Sequence, residues 1–308
     1  MRSLLLLTVV MAPGLCAFQE PAPGQAGTAE RVLSVIDAVG QEVPVKNWKF
    51  TVGTRRLAWL APQAPAQKPK KGQVLPQGPE YLEFREDKST TYQTGILTLV
   101  PLASIRKIDY DLDKKTVVAT YVKADGKDDV LAGTTRYIGI NKIVIEGDAD
   151  LGKLGLASTK FKGGETKGGI RGLRFSKADS VAEPKGKIAA IVAADKEKTL
   201  HKVSDLTALY KTSNGNRLAP TLLFKKTVKI DLGQVQKLRH LPAEDPKKTS
   251  YDYEVTLADG MKLNLTLLEK GGELDNHPVL LVGLIGAVPA GYKLFPAHTI
   301  AELTFENK

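Results

Sequence analysis

The sequence predicts an all-β protein: two tandem, internally duplicated β-sandwich or barrel-like domains behind a signal peptide. Three observations predict it. Alternating runs rich in valine, isoleucine, threonine and tyrosine recur along the chain, and such alternation sends side chains to the two faces of a strand. A short motif also recurs. Ile105-Arg106-Lys107-Ile108-Asp109-Tyr110 is echoed by Ile170-Arg171-Gly172-Leu173-Arg174-Phe175, Val235-Gln236-Lys237-Leu238-Arg239-His240 and Ile300-Ala301-Glu302-Leu303-Thr304-Phe305. Its copies begin at 105, 170, 235 and 300, three intervals of 65. Finally, Ala124-Asp125-Gly126 and Ala258-Asp259-Gly260 each end an alternating run opened by Lys-Lys-Thr. Asp-Gly between such runs marks a hairpin, because glycine accepts the positive φ of the turn.

In each motif copy the last two apolar positions lie two apart and share a strand face. The first lies three earlier, so a bulge or a single turn must restore its facing. Upstream, Leu99-Val100-Pro101-Leu102 stands against Lys229-Ile230-Asp231-Leu232, and Pro101 stands against Pro296. Proline there marks a strand end or an edge. The unit is therefore strand, tight turn, strand. The second copy is preceded by glycine-rich residues 163–169 instead, and His240 departs from the aromatic third position. The larger repeat is about 130 residues long, with the 65-residue spacing marking its halves. Whether the two copies are separate domains or one fused fold stays open.

Taken in order, residues 1–17 form a signal peptide. Arg2 gives the positive start, residues 4–10 a short apolar core, Pro13 and Gly14 a break, and Leu15-Cys16-Ala17 a cleavage site before Phe18. The apolar stretch is too short for an ordinary membrane-spanning helix, and no transmembrane segment follows it. The expected location is secreted or periplasmic. Lipid anchoring at Cys16 is the weaker alternative, since a small residue should precede the cysteine and Leu15 is not small. Residues 18–30 are a flexible lead. The first β-domain covers 31–178, residues 179–186 form a linker, and the second β-domain covers 187–308.

Within the first domain, 31–50 reads as a hairpin turning near Gly40, with a weaker echo at 188–209. Residues 61–80 carry five prolines with Lys68, Lys70 and Lys71, and cannot form a strand or a helix interior. A mobile, basic loop is expected there, between Trp59-Leu60 and Tyr81-Leu82. Strands follow at 81–85, 93–100, 108–110, 117–123, 130–138, 142–145 and 154–161. Residues 204–211 fit either a helix or a strand. The apolar stretch 279–290 is broken by Gly283, Gly286 and Pro289 and is expected as buried strand.

The net charge is +10 over 308 residues. Spread lysines suit solvated strand faces, and they also attract anionic polymers. No RNP motif, zinc finger or basic helix points to nucleic acid. The acidic triplet Asp109, Asp111 and Asp113 has calcium-loop spacing but lacks the turn glycine and the distal glutamate, so a solvated strand edge is expected. The run 146–150 reads as a turn. His201, His240, His277 and His298 lack metal-ligand spacing and are expected at the surface. No nucleophile elbow or phosphate loop is present, and no cofactor is called for. Asn264-Leu265-Thr266 is a glycosylation sequon only in a eukaryotic secretory pathway.

The sequence thus carries no recognisable catalytic set. It favours an exported, non-catalytic binding or structural protein of the cell envelope, recognising an anionic polysaccharide or an envelope protein. The expected binding residues are Trp59, Lys68, Lys70, Lys71 and Tyr81, because loops on a rigid scaffold carry function. Trp48, Tyr251 and Tyr253 could join them as a stacking platform. The alternatives are an exported hydrolase of envelope polysaccharide, using carboxylates around 109–113 and 148–150, and a lipid-anchored assembly factor.

Overall fold

The computed structural model describes residues 31–56, 80–85, 95–111, 113–134, 143–163, 169–194, 197–213, 215–242, 251–275 and 277–306. These residues are nearly all β. The first half holds β1 (Leu33–Ile36), β2 (Glu42–Val52), β3 (Thr54–Arg56), β4 (Glu80–Arg85), β5 (Leu97–Pro101), β6 (Ile105–Asp111), β7 (Thr116–Val122), β8 (Asp128–Thr134), β9 (Val144–Asp150), β10 (Leu156–Lys162) and β11 (Gly172–Phe175). The second holds β12 (Ile188–Ala193), β13 (Leu200–Thr212), β14 (Gly215–Ala219), β15 (Thr221–Leu223), β16 (Lys229–Asp231), β17 (Val235–His240), β18 (Asp252–Leu257), β19 (Lys262–Thr266), β20 (Lys270–Leu274), β21 (His277–Val288), β22 (Gly291–Phe295) and β23 (Ile300–Phe305). The segment 204–211, open between helix and strand in the sequence, is part of β13.

A 3-10 turn precedes three of the four motif copies: Leu102–Ser104 before β6, Leu232–Gln234 before β17 and Ala297–Thr299 before β23. In each, the N–H of the following residue (Ile105, Val235, Ile300) donates to the first carbonyl of the turn. Side chains close the turns. Ser104 Oγ donates to the Pro101 carbonyl at 2.8 Å and Thr299 Oγ1 to that of Pro296 at 2.7 Å, while Asp231 accepts from the Gly233 N–H at 2.7 Å. A register shift follows at once, between Ile105 and Lys107 and between Val235 and Lys237. Turn and bulge together bring the first apolar residue to the core side, so Ile105 and Val235 are fully buried. Both Asp-Gly hairpins form. Gly126 and Gly260 take φ 80 and 87, and Asp125 and Asp259 accept the N–H two residues on.

Strand order repeats between the two large sheets. From one edge the first sheet runs β8-β7-β6-β11-β1-β2-β9-β10, and the second runs β19-β18-β17-β23-β12-β13-β21-β22 before continuing into β5, β4 and β3. Every pairing between these strands is antiparallel, and registers agree in detail. Leu33 faces Phe175 and Val35 faces Leu173, as Ala189 faces Phe305 and Ile191 faces Leu303. Leu173 faces Ile108 as Leu303 faces Leu238. Even the irregularities correspond. β2 bulges between Lys46 and Lys49, and β13 between Ser204 and Thr207. Each bulge holds one residue at positive φ, Asn47 at 49 and Asp205 at 51.

The described residues from Val32 onward form one compact unit. Its main core draws on both sheets, with Leu33, Ile108 and Leu173 from the first and Ile191, Leu238 and Leu303 from the second. First-half strands β3, β4 and β5 belong to the second sheet through the β5–β22 pairing. Val181, within 179–186, is buried in the core and donates its N–H to the Val122 carbonyl at 2.9 Å. β5 is covered on both faces. Val100 joins the main core, while Leu97 and Leu99 join a smaller one with Tyr81, Leu209, Ile285 and Leu294. The apolar stretch within 279–290 is central β21, flanked by β13 and β22.

Candidate interaction surface

Of the binding residues expected from sequence, Trp59, Lys68, Lys70 and Lys71 lie outside the described residues. Tyr81 lies in β4 and is only 5% exposed, its ring edge-on to Tyr292 at 6.0 Å. Burial, and then the neighbouring Tyr292 hydroxyl, push its phenol up to about 12. The other aromatics are engaged in packing. Trp48 meets Phe50 and Phe175 edge-on, and Tyr253 is fully buried, donating its hydroxyl to the Ala297 carbonyl at 2.9 Å. His201 also departs from expectation. It is buried against Phe295, with Nδ1 3.3 Å from Lys293 Nζ, because it shares the buried side of β13 with Val203.

The acidic candidates are held by the protein's own cations. Asp109 pairs with Arg174 and, at 3.4 Å, with Lys107. Asp111 accepts the Lys114 N–H at 2.9 Å, which holds its carboxyl below the usual range. The run 146–150 is strand β9 and not a turn. Ile145, Gly147 and Ala149 point inward, and Glu146, Asp148 and Asp150 point outward. The small inward residues weaken the apolar signal, which is why the run resembles a turn in sequence. Glu146 meets Lys160 at 2.6 Å and Lys49 at 3.2 Å, and those hydrogen bonds depress its pKa. Asp148 accepts from Asn47 Nδ2 at 2.9 Å, and Asp150 meets Lys46 at 3.6 Å. A general acid needs a carboxyl shifted upward. The displaced carboxylates Asp111, Asp125, Glu146 and Asp275 all shift downward. Among the described residues no cluster of three or more potential ligands could hold a metal ion.

The feature that stands apart is the β9–β10 hairpin. Among the described residues β10 pairs with β9 alone, so it is an edge strand. Its alternate residues Leu156, Ser158, Lys160 and Lys162 are exposed. The hairpin tip carries three solvent-exposed leucines: Leu151 at 46%, Leu154 at 86% and Leu156 at 54%. Isolated exposed leucines are ordinary, but three within one tip form an apolar knob. The matching hairpin of the second sheet is tighter. There Val288 faces Gly291, whereas here Asp150 faces Leu156 across a longer loop. The extra residues 151–155 supply two of the three leucines and Lys153.

Around this knob the outer face of β2, β9 and β10 is laced with charge. Lys46, Lys49, Lys160 and Lys162 stand against Glu42, Glu146, Asp148 and Asp150, and Lys153 lies at the hairpin tip. Two ammonium groups share the single Glu146 carboxylate, and β10 itself carries Lys160 and Lys162 with no acidic residue. Sequence reasoning missed this site because an edge is a property of the assembled sheet. The Leu-Gly-Lys-Leu-Gly-Leu run at 151–156 was its one visible signal.

No known protein family, characterised protein or solved structure matches this chain. Among the described residues no helix is long and apolar enough to cross a membrane.

Proposed function

We propose that the chain is an exported, non-catalytic binding or structural protein of the cell envelope, meeting an anionic polymer or a protein partner through the β9–β10 hairpin and the outer face beside it. The observation that carries this reading is the leucine knob at the hairpin tip, set beside the lysine-bearing strand β10, which among the described residues pairs with β9 alone. A soluble sheet protein gains nothing in folding by exposing leucines there, and contact with a partner would remove them from water. The ion pairs that hold Asp109 to Arg174 and Lys107, and Asp150 to Lys46, weigh against the hydrolase alternative.

Co-sedimentation of the protein with purified envelope fractions and soluble anionic polysaccharides, at low and high salt, tests this reading. Retention that weakens when Leu151, Leu154 and Leu156 are replaced by serine is the expected result. Retention in no fraction would overturn it.

A further inference from the structure

We propose that the edge of β10, which no described strand covers, binds an extended protein segment that alternates acidic and apolar residues, adding as a strand in the place that β5 takes on β22. This proposal rests on the binding reading above and names the partner's chemistry.

The argument begins with the matched strand orders. β10 in the first sheet stands where β22 stands in the second. Their registers support the match: Ile145 faces Phe161 and Leu284 faces Phe295, and Gly147 faces Thr159 as Gly286 faces Lys293. Ser158 and Lys160 therefore correspond to Tyr292 and Leu294. Those two residues are met by Leu99 and Leu97 of β5. The fold thus already places a strand at this position in one sheet, while the described residues place none there in the other.

The backbone of β10 is prepared for such a strand. At one end of the hairpin Leu151 N–H donates to the Gly155 carbonyl, and at the other Gly163 N–H donates to the Ile143 carbonyl. Antiparallel ladders alternate, so Ala157, Thr159 and Phe161 exchange their hydrogen bonds with β9. The N–H and C=O groups of Leu156, Ser158 and Lys160 then face the open edge. The Lys162 carbonyl, next in that row, accepts from the Ile170 N–H at 2.9 Å, which sets the far limit of the accessible run.

Side-chain chemistry selects the occupant. On the outer face a new strand would lie beside Ser158, Lys160 and Lys162, where Lys49 and Lys160 already share Glu146. Acidic residues complement Lys160 and Lys162 of the edge strand, as cross-strand charge pairs do. On the inner face it would lie beside Ala157, Thr159 and the half-buried Phe161, which favour apolar partners. A second copy of β10 would bring lysines toward lysines, the arrangement by which edge strands resist self-pairing. Strand addition of this kind draws affinity from main-chain bonds and specificity from alternate side chains.

The test uses two fluorescent eight-residue peptides, one alternating glutamate with valine and one alternating lysine with valine, titrated into the protein. Ser158→Pro removes one edge-facing N–H and leaves the β9 ladder intact, and Ser158→Ala keeps the backbone donor. The acidic peptide should bind, lose about tenfold or more in affinity to Ser158→Pro, and bind Ser158→Ala within about twofold. Equal binding to Ser158→Pro, equal binding of the basic peptide, or no binding of the acidic one would overturn the proposal. So would concentration-dependent dimerisation that Ser158→Pro abolishes, which would assign the edge to a second copy. Unchanged thermal unfolding of Ser158→Pro confirms that the variant folds. Envelope retention measured in parallel separates the two readings, since retention without peptide binding leaves the broader function standing and removes only the strand-addition step.

Discussion

Gly147 of β9 lies against Val45 of β2 so closely that a Cβ on the glycine would stand 2.6 Å from Val45 Cγ1 and 2.9 Å from the Lys46 carbonyl oxygen. The bulge at Asn47 causes the approach, since its extra residues push the strand backbone toward its neighbour. Gly286 meets the matching bulge in the second sheet, with Val203 at 2.8 Å and the Ser204 oxygen at 3.1 Å. Alanine at Gly147 or Gly286 should destabilise the protein by about 1–3 kcal/mol, since backbone has to shift. Gly133→Ala, whose Cβ would meet Val117 at an ordinary 3.8 Å, is the control. Chemical denaturation measures all three, and equal effects would contradict the close-approach argument.

The shared core has a thermodynamic consequence. Leu303 is fully buried in the last strand, facing both Ile191 and Leu238. β5 meanwhile ties first-half residues into the second sheet. Unfolding should therefore be a single transition, with tryptophan fluorescence and far-ultraviolet circular dichroism superimposing. Leu303→Ala should move that transition by about 2–5 kcal/mol as a unit. Two separated transitions would show that the halves unfold independently.

Alkaline pH should expose the buried phenols. Burial first, with Tyr292, Asp129 and Glu269 respectively adding to it, pushes Tyr81, Tyr121 and Tyr251 up to about 12. The folded state thus holds these protons more tightly than the unfolded chain, whose phenols titrate near 10. Their stabilising contribution is full below about pH 10 and is lost as pH rises toward 12. Phenolate absorbance should rise later in the native protein than in denaturant. Coincident titrations would refute the burial of these rings.

Glu146→Gln separates charge from packing on the outer face. It leaves Lys49 and Lys160 without their shared carboxylate at an exposed site. The cost to stability should be small and shrink with added salt. Retention on anionic polysaccharide should strengthen at low salt, because Lys49 and Lys160 lose the negative charge beside them. Weaker retention of the variant would argue that Glu146 itself contacts the partner.

The sequence made the all-β class legible because strand alternation and Asp-Gly turns are local signals. Asp125 and Asp259 sit in the hairpins they announce, and the turns before Ile105, Val235 and Ile300 follow from the three-then-two spacing of the motif. The strand at 144–150 was hidden, since Gly147 and Ala149 fill its inward positions with little hydrophobicity. The passage of β3, β4 and β5 into the second sheet was also hidden, because pairing between Leu97 and Leu294 leaves no periodic trace. Tyr81 attracted attention as an aromatic beside a proline-rich run, yet its strand position turns it into a core. The β10 edge could not be seen until the strand order was known.

Residue-resolved amide hydrogen exchange along β10 tests the open edge most directly. The ladder assigned to the β9–β10 hairpin predicts slow exchange at Ala157, Thr159 and Phe161 and fast exchange at Ser158 and Lys160, with those two slowing when the acidic peptide is added. Uniform protection of all five amides in the free protein would show that the edge is already covered and would contradict the proposed docking site.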